Sequence, residues 1–88
     1  ETMEKNVKKL VMSGDGYVAF IWENAGHKIV AMDRDMRTLR DYEIPWTDWS
    51  QIAWCDNFIL DGSETAVFLT CTINETHDII IFRIELLL

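Results

Sequence analysis

The chain has 88 residues, 49% of them hydrophobic, and a formal net charge of −7. Its size gives one domain with no room for a second core, and a chain this long buries about 64% of its unfolded surface on folding, enough for stability without a metal or disulfide. The composition excludes a disordered acidic tail, and the acidity argues against direct nucleic-acid binding, which rests on Lys and Arg neutralising phosphates.

Taken in chain order, the opening residues 1–10 alternate acids and lysines and lack the apolar stretch of a signal peptide. Glu1 and Thr2 ahead of Met3 read as a cloning remnant, and 1–88 is taken as a single domain. Val7–Met12 leads into Ser13-Gly14-Asp15-Gly16, strong turn chemistry because glycine reaches positive φ without steric cost. Met3, Val7, Leu10 and Val11 also fall at helical spacing, but the glycine turn and a partner strand follow at once, which favours a strand.

Tyr17–Glu23 is rich in β-branched and aromatic residues and ends at Asn24-Ala25-Gly26, after which Lys28–Met32 runs apolar again. Such runs joined by short turns predict a three-stranded meander. Arg37–Ile44 is polar and reads as a fourth, edge-like strand stopped by Pro45.

Thr47 then caps a predicted short helix near 47–55, with Asp48 in its first turn and Trp49, Ile52 and Ala53 along one face. Phe58-Ile59-Leu60 is a short apolar run closed by Asp61-Gly62-Ser63. Ala66–Ile73 alternates, with Val67, Leu69, Cys71 and Ile73 on one face and Phe68, Thr70 and Thr72 on the other. After a turn at 74–78, Ile79–Leu88 puts Ile80, Phe82, Ile84, Leu86 and Leu88 on one face and Ile79, Ile81, Arg83 and Glu85 on the other. At ten residues with two charges, this run is too short to span a membrane, which takes about 20 apolar residues.

The predicted fold is therefore mainly β, or α+β: a small antiparallel sheet or sandwich of five to six strands built from hairpins, with one short helix. Two hairpin regions share a cadence of apolar strand, polar turn carrying a histidine, and second apolar strand. That cadence occurs in β-propeller blades, but no blade signature is present and two units cannot close a propeller, so it reads as generic antiparallel architecture.

Cys55 and Cys71 fit no metal or redox spacing. Their apolar neighbourhoods favour buried free thiols in a reducing, cytoplasmic compartment over a single disulfide. Asn74-Glu75-Thr76 matches the N-glycosylation acceptor pattern, a triplet common by chance.

Charge is segregated along the chain. Residues 1–40 carry a net +1 and residues 41–88 a net −8, with Arg83 the lone base of the second part. An acidic surface repels phosphate and steers cationic partners.

Catalytic and metal chemistry finds little to stand on. Ser13-Gly14-Asp15-Gly16 lacks the lysine and helix of a phosphate loop, and no Cys or His group has zinc spacing. His27 and His77 sit at turns, where solvated imidazoles are the default. Alternation points Cys71 into an apolar face, where a thiolate is disfavoured. Asp33 with Asp35, and Asp61 with Glu64, read as solvated edges rather than calcium or acid–base pairs. The expectation is a non-enzyme with no cofactor, metal or catalytic residue.

What remains is recognition. Trp22, Trp46, Trp49 and Trp54 supply core mass, and the Trp46–Trp54 stretch also carries aromatic anchors beside acids. The leading expectation is a protein–protein interaction module, an inhibitor or adaptor (with nucleic-acid mimicry as one subtype), docking on a basic partner through Asp41, Glu43, Trp46, Asp48, Trp49 and Asp56. The alternative is an assembly subunit that dimerises through Ile84, Leu86, Leu87 and Leu88 of the apolar terminal strand. A small-ligand domain or enzyme ranks last.

Overall fold

The computed structural model describes residues 8–23 and 27–86. Expectations for residues 1–7, 24–26 and Leu87–Leu88 lie outside these. Seven strands form two antiparallel meanders, one of four strands and one of three. The chain divides into two compact units between Glu43 and Ile44, and each is described by itself.

In the first unit, β1 (Lys8–Met12), β2 (Ala19–Glu23), β3 (Lys28–Met32) and β4 (Thr38–Glu43) pair in sequence order. Alternation sorts the side chains because neighbours along a strand point to opposite faces. On one face, Lys9, Trp22, Ile29 and Tyr42 form a row across all four strands, with Val11, Phe20, Ala31 and Arg40 beside it. Phe20, Trp22, Ile29, Ala31 and Tyr42 are buried there. The opposite face carries the row Lys8–Glu23–Lys28–Glu43, whose alternating signs suit adjacent strands. Lys8 and Glu23 pair at 3.5 Å. The β4 edge is irregular: the register shifts beside Ala31, leaving Leu39 as an extra residue.

In the second unit, β5 (Ile52–Leu60), β6 (Ala66–Ile73) and β7 (Ile79–Glu85) form the three-stranded sheet in that order. Its buried face sets Phe58, Leu69 and Phe82 in one row, Leu60, Val67 and Ile84 in the next, and Cys55, Cys71 and Ile80 in a third. Val67 and Leu69 are fully buried.

Two expectations need correction here. The predicted helix near 47–55 is only a 3-10 turn over Trp49–Gln51, and the chain from Ile52 onward is a nine-residue strand, which raises the strand count from the expected five to six to seven. The physical reason lies in β5 itself. Its register shifts twice, between Ile52 and Trp54 and between Cys55 and Asn57. Ala53, read with Trp49 and Ile52 as one helical face, is the extra residue at the first shift, so two neighbouring apolar positions that suggest a helix belong to a bulged strand. Secondly, Cys55 and Cys71 are direct register partners and are joined as a disulfide. The free-thiol reading fails because the bulged strand brings the two cysteines opposite each other, and the ground for favouring a reducing compartment falls with it.

Two turn forms recur in the same order in both units. In the first, Ser13 N–H donates to Val18 O and Gly16 N–H to Ser13 O; likewise Asp61 N–H donates to Ala66 O and Glu64 N–H to Asp61 O. Gly16 and Glu64 both take positive φ, 78° and 61°. In the second form, His27 N–H donates to Glu23 O and His77 N–H to Ile73 O, with His27 and His77 at φ 54° and 62°. β1–β2–β3 and β5–β6–β7 are thus two versions of one supersecondary unit. Only the first has a fourth strand: among the described residues, no strand pairs with the outer edge of β7.

Candidate functional site

The six residues predicted to form a binding patch divide between the two units. Asp41 and Glu43 are exposed on β4, where Asp41 accepts from Lys28 Nζ at 3.4 Å. In the second unit, Trp46 and Trp49 are half-buried and both rings pack on Phe82, with centroids 5.8 and 6.3 Å away. Trp46 Nε1 donates to Asp48 O at 3.0 Å, and the Asp48 carboxylate caps the 3-10 turn by accepting from Ser50 N–H. These two tryptophans therefore anchor the segment entering β5. Asp56 is exposed, the extra residue at a shift in β5.

Of the predicted assembly residues, Ile84 and Leu86 are buried. Leu87 and Leu88 lie outside the described residues.

The acid pairs singled out in the sequence build turns. Asp33 Oδ1 accepts from the N–H groups of Asp35 and Arg37, both at 2.9 Å. Asp61 accepts from Ser63 N–H and Ser63 Oγ, and these bonds hold its carboxyl below the ordinary value. Asp15 is held down in the same way, chiefly by Ser13 Oγ at 2.7 Å and then by Tyr17 N–H at 2.9 Å. His27 and His77 are exposed at their turns. Among the described residues no group of three or more His, Cys, Asp or Glu is placed to hold a metal.

The feature that sequence reading missed is the other face of the three-stranded sheet. Trp54, Thr72 and Ile79 form one row on it, Asn57, Thr70 and Ile81 the next, and Ile59, Phe68 and Arg83 the third. Trp54 is 52% exposed, Ile59 56%, Ile79 70% and Ile81 65%. Asn57 Nδ2 donates to Thr70 Oγ1 at 3.3 Å across the middle row. Together with half-buried Phe68, these side chains present roughly 400–500 Å² of apolar surface, within the range of the largest patch on a typical monomer, which is often functional. The alternation of β6 and β7 puts Phe68, Ile79 and Ile81 on this side, so part of the face is legible in the sequence. Trp54 and Ile59 become legible only once the bulges of β5 are known.

Three acids lie beside this face, and Arg83 is the base on it. Residues 44–88 carry seven acids and one base, a net −6. Asp56 stands at the β5 bulge, Asp78 immediately precedes Ile79, and Glu85 closes the β7 row, where it pairs with Arg83. A polar recess of about 450 Å³ lies in the same unit, lined by Asp48, Ser50, Gln51, Ile73, Asn74, Glu75 and Thr76. Asn74 Nδ2 closes part of it by donating to Ser50 O at 2.7 Å.

No helix among the described residues is long and apolar enough to cross a membrane. Comparison of the chain with protein-family models, with curated proteins and with solved structures finds no match.

Proposed function

We propose that this chain is a non-enzymatic protein–protein interaction module whose binding surface is the exposed face of the β5–β6–β7 sheet. The observation that carries the reading is the row structure of that face: Trp54, Ile59, Ile79 and Ile81 are all more than half exposed on one side of one sheet. Single exposed apolar residues are ordinary, but a contiguous patch with an aromatic anchor and a polar rim has the composition of an interface centre. Its estimated area is over half of the roughly 800 Å² that one partner contributes to a standard interface.

The surrounding charge selects the partner. With a net −6 over residues 44–88, two copies placed face to face repel, whereas a protein with an apolar patch set among lysines and arginines is attracted and steered. An inhibitor or adaptor acting on a basic surface fits this chemistry, and Asp56 keeps the role first expected of it while Asp78 and Glu85 take the place of Asp41, Glu43 and Asp48.

The test uses the full chain as bait, with W54S/I81S and D41K/E43K as variants whose circular dichroism matches the unmodified chain. The reading expects W54S/I81S to lose a partner whose binding weakens with salt, while D41K/E43K keeps it. Retention by W54S/I81S, or loss through D41K/E43K alone, would overturn it.

A further inference from the structure

We infer that the outer edge of β7 is an acceptor for a fourth, antiparallel strand donated by a partner protein, and that β4 is the pattern for that strand. The inference concerns an edge rather than the exposed face, and it stands whichever protein covers Trp54.

It starts from the internal repeat. β1–β2–β3 and β5–β6–β7 share strand order, antiparallel pairing and both turn forms, including the left-handed positions at Gly16 and Glu64 and at His27 and His77. β7 is thereby the counterpart of β3. In the first unit β3 is an inner strand, paired on its far side with β4 through Lys28–Glu43, Ile29–Tyr42 and Val30–Asp41. The corresponding side of β7 has no described partner.

The chemistry of the β7 edge agrees. Edges left open in folded proteins are blunted by bulges, proline, inward charge or lysine. The other three edges carry such devices: two register shifts and Asp56 on β5, Leu39 as the extra residue of β4 with Arg40 beside it, and Lys8 and Lys9 on β1. β7 has none. Its seven residues, Ile79-Ile80-Ile81-Phe82-Arg83-Ile84-Glu85, pair with β6 in unbroken register from Ile79 to Glu85. It is apolar on its buried face, carries Ile79 and Ile81 beside Arg83 and Glu85 on the other, and is locally neutral because Arg83 offsets Glu85.

Strand addition supplies affinity through main-chain hydrogen bonds and specificity through alternate side chains. The donated segment has apolar or aromatic residues at alternate positions beside Phe82 and Ile84 on the buried face of β7, as Tyr42 stands beside Ile29 on the buried face of the first sheet. The intervening positions are polar, with a base suited to Glu85.

The probe is an acetylated synthetic peptide of this chain's own residues 37–45, which contains β4 and carries Arg37 and Arg40. It is added in trans to the full chain at about 1 mM, a concentration suited to a weak strand contact. Backbone amide exchange is followed residue by residue. The expected result is about a tenfold slowing of exchange over 79–85, abolished when the peptide carries N-methyl groups on one set of alternate amides and retained when they are on the other set. No slowing over 79–85, equal loss with both methylated peptides, or slowing confined to β3 through exchange with resident β4 would each overturn the inference. So would protection of 79–85 that rises with protein concentration in the absence of peptide, because the occupant would then be a second copy.

Discussion

Trp54 and Thr72 stand opposite each other on β5 and β6, yet the tryptophan is 52% exposed while the threonine is buried at 8%. Thr72 also faces Ile79 on its other side, so two large flanking side chains cover the small polar one and themselves face solvent. That row belongs to the outer face of the β5–β6–β7 sheet, with Ile81 and Ile59 exposed in the rows beside it. The proposed interaction rests on that face.

The two faces of β6 and β7 differ in burial and must differ in sensitivity. Leu69 is fully buried on the inner face, and Leu69→Ala should cost about 2–5 kcal/mol, a large share of a small domain's stability. Ile81, 65% exposed on the outer face, should tolerate Ile81→Thr within about 0.5 kcal/mol. Urea unfolding of both variants measures the contrast, and equal losses would mean that the outer face is covered.

Removing the disulfide should weaken the fold through the unfolded chain. Cys55 and Cys71 are 16 residues apart, and a closed loop of that length restricts the unfolded ensemble by about 3 kcal/mol. Urea midpoints with and without a reductant should separate accordingly, and C55S/C71S should unfold at the reduced midpoint under both conditions.

Tyr42 Oη and Trp22 Nε1 are buried without hydrogen-bond partners, on register rows joined through Ile29. An unmet buried hydroxyl is a cost, so Tyr42→Phe should raise stability by about 1 kcal/mol. Burial also pushes the Tyr42 phenol above its ordinary value of 10.0. The folded chain then keeps a proton that the unfolded chain releases, so stability should hold below pH 10 and fall above it. In Tyr42→Phe that alkaline loss should shrink, which unfolding at a series of alkaline pH values would show.

Asp15 and Asp61 should both titrate below 3.8 in carboxyl-detected NMR, and Ser13→Ala and Ser63→Ala should each move its own aspartate back up. Because the folded values are lowered, their contribution is present above the ordinary carboxylate range and is lost as pH falls through the lowered values. An unchanged Asp15 in Ser13→Ala would show that Tyr17 N–H alone holds it down.

Much of the fold is legible because period-2 alternation survives wherever the ladder is regular. β2, β3, β6 and β7 pair without shifts along their shared ladders, and their residues alternate as strands should. β5 is illegible for the opposite reason. Its first register shift makes Ala53 an extra residue beside Ile52, which reads as a helical face with Trp49, and the two shifts together hide both the disulfide and the outward placement of Trp54. Tryptophan content alone does not distinguish Trp46 and Trp49, which pack on Phe82, from Trp54, which faces out. The faint likeness between the two histidine turns is, by contrast, a matched pair of backbone hydrogen bonds.

The most direct measurement places a photocrosslinking amino acid at Ile79, on the exposed face, and separately at Leu39, at the β4 bulge. A crosslink to a partner should form from position 79, map to an apolar patch flanked by lysines or arginines, and disappear in W54S. A partner captured from position 39 and not from 79, or one captured from 79 at an acidic surface, would contradict the proposed interaction.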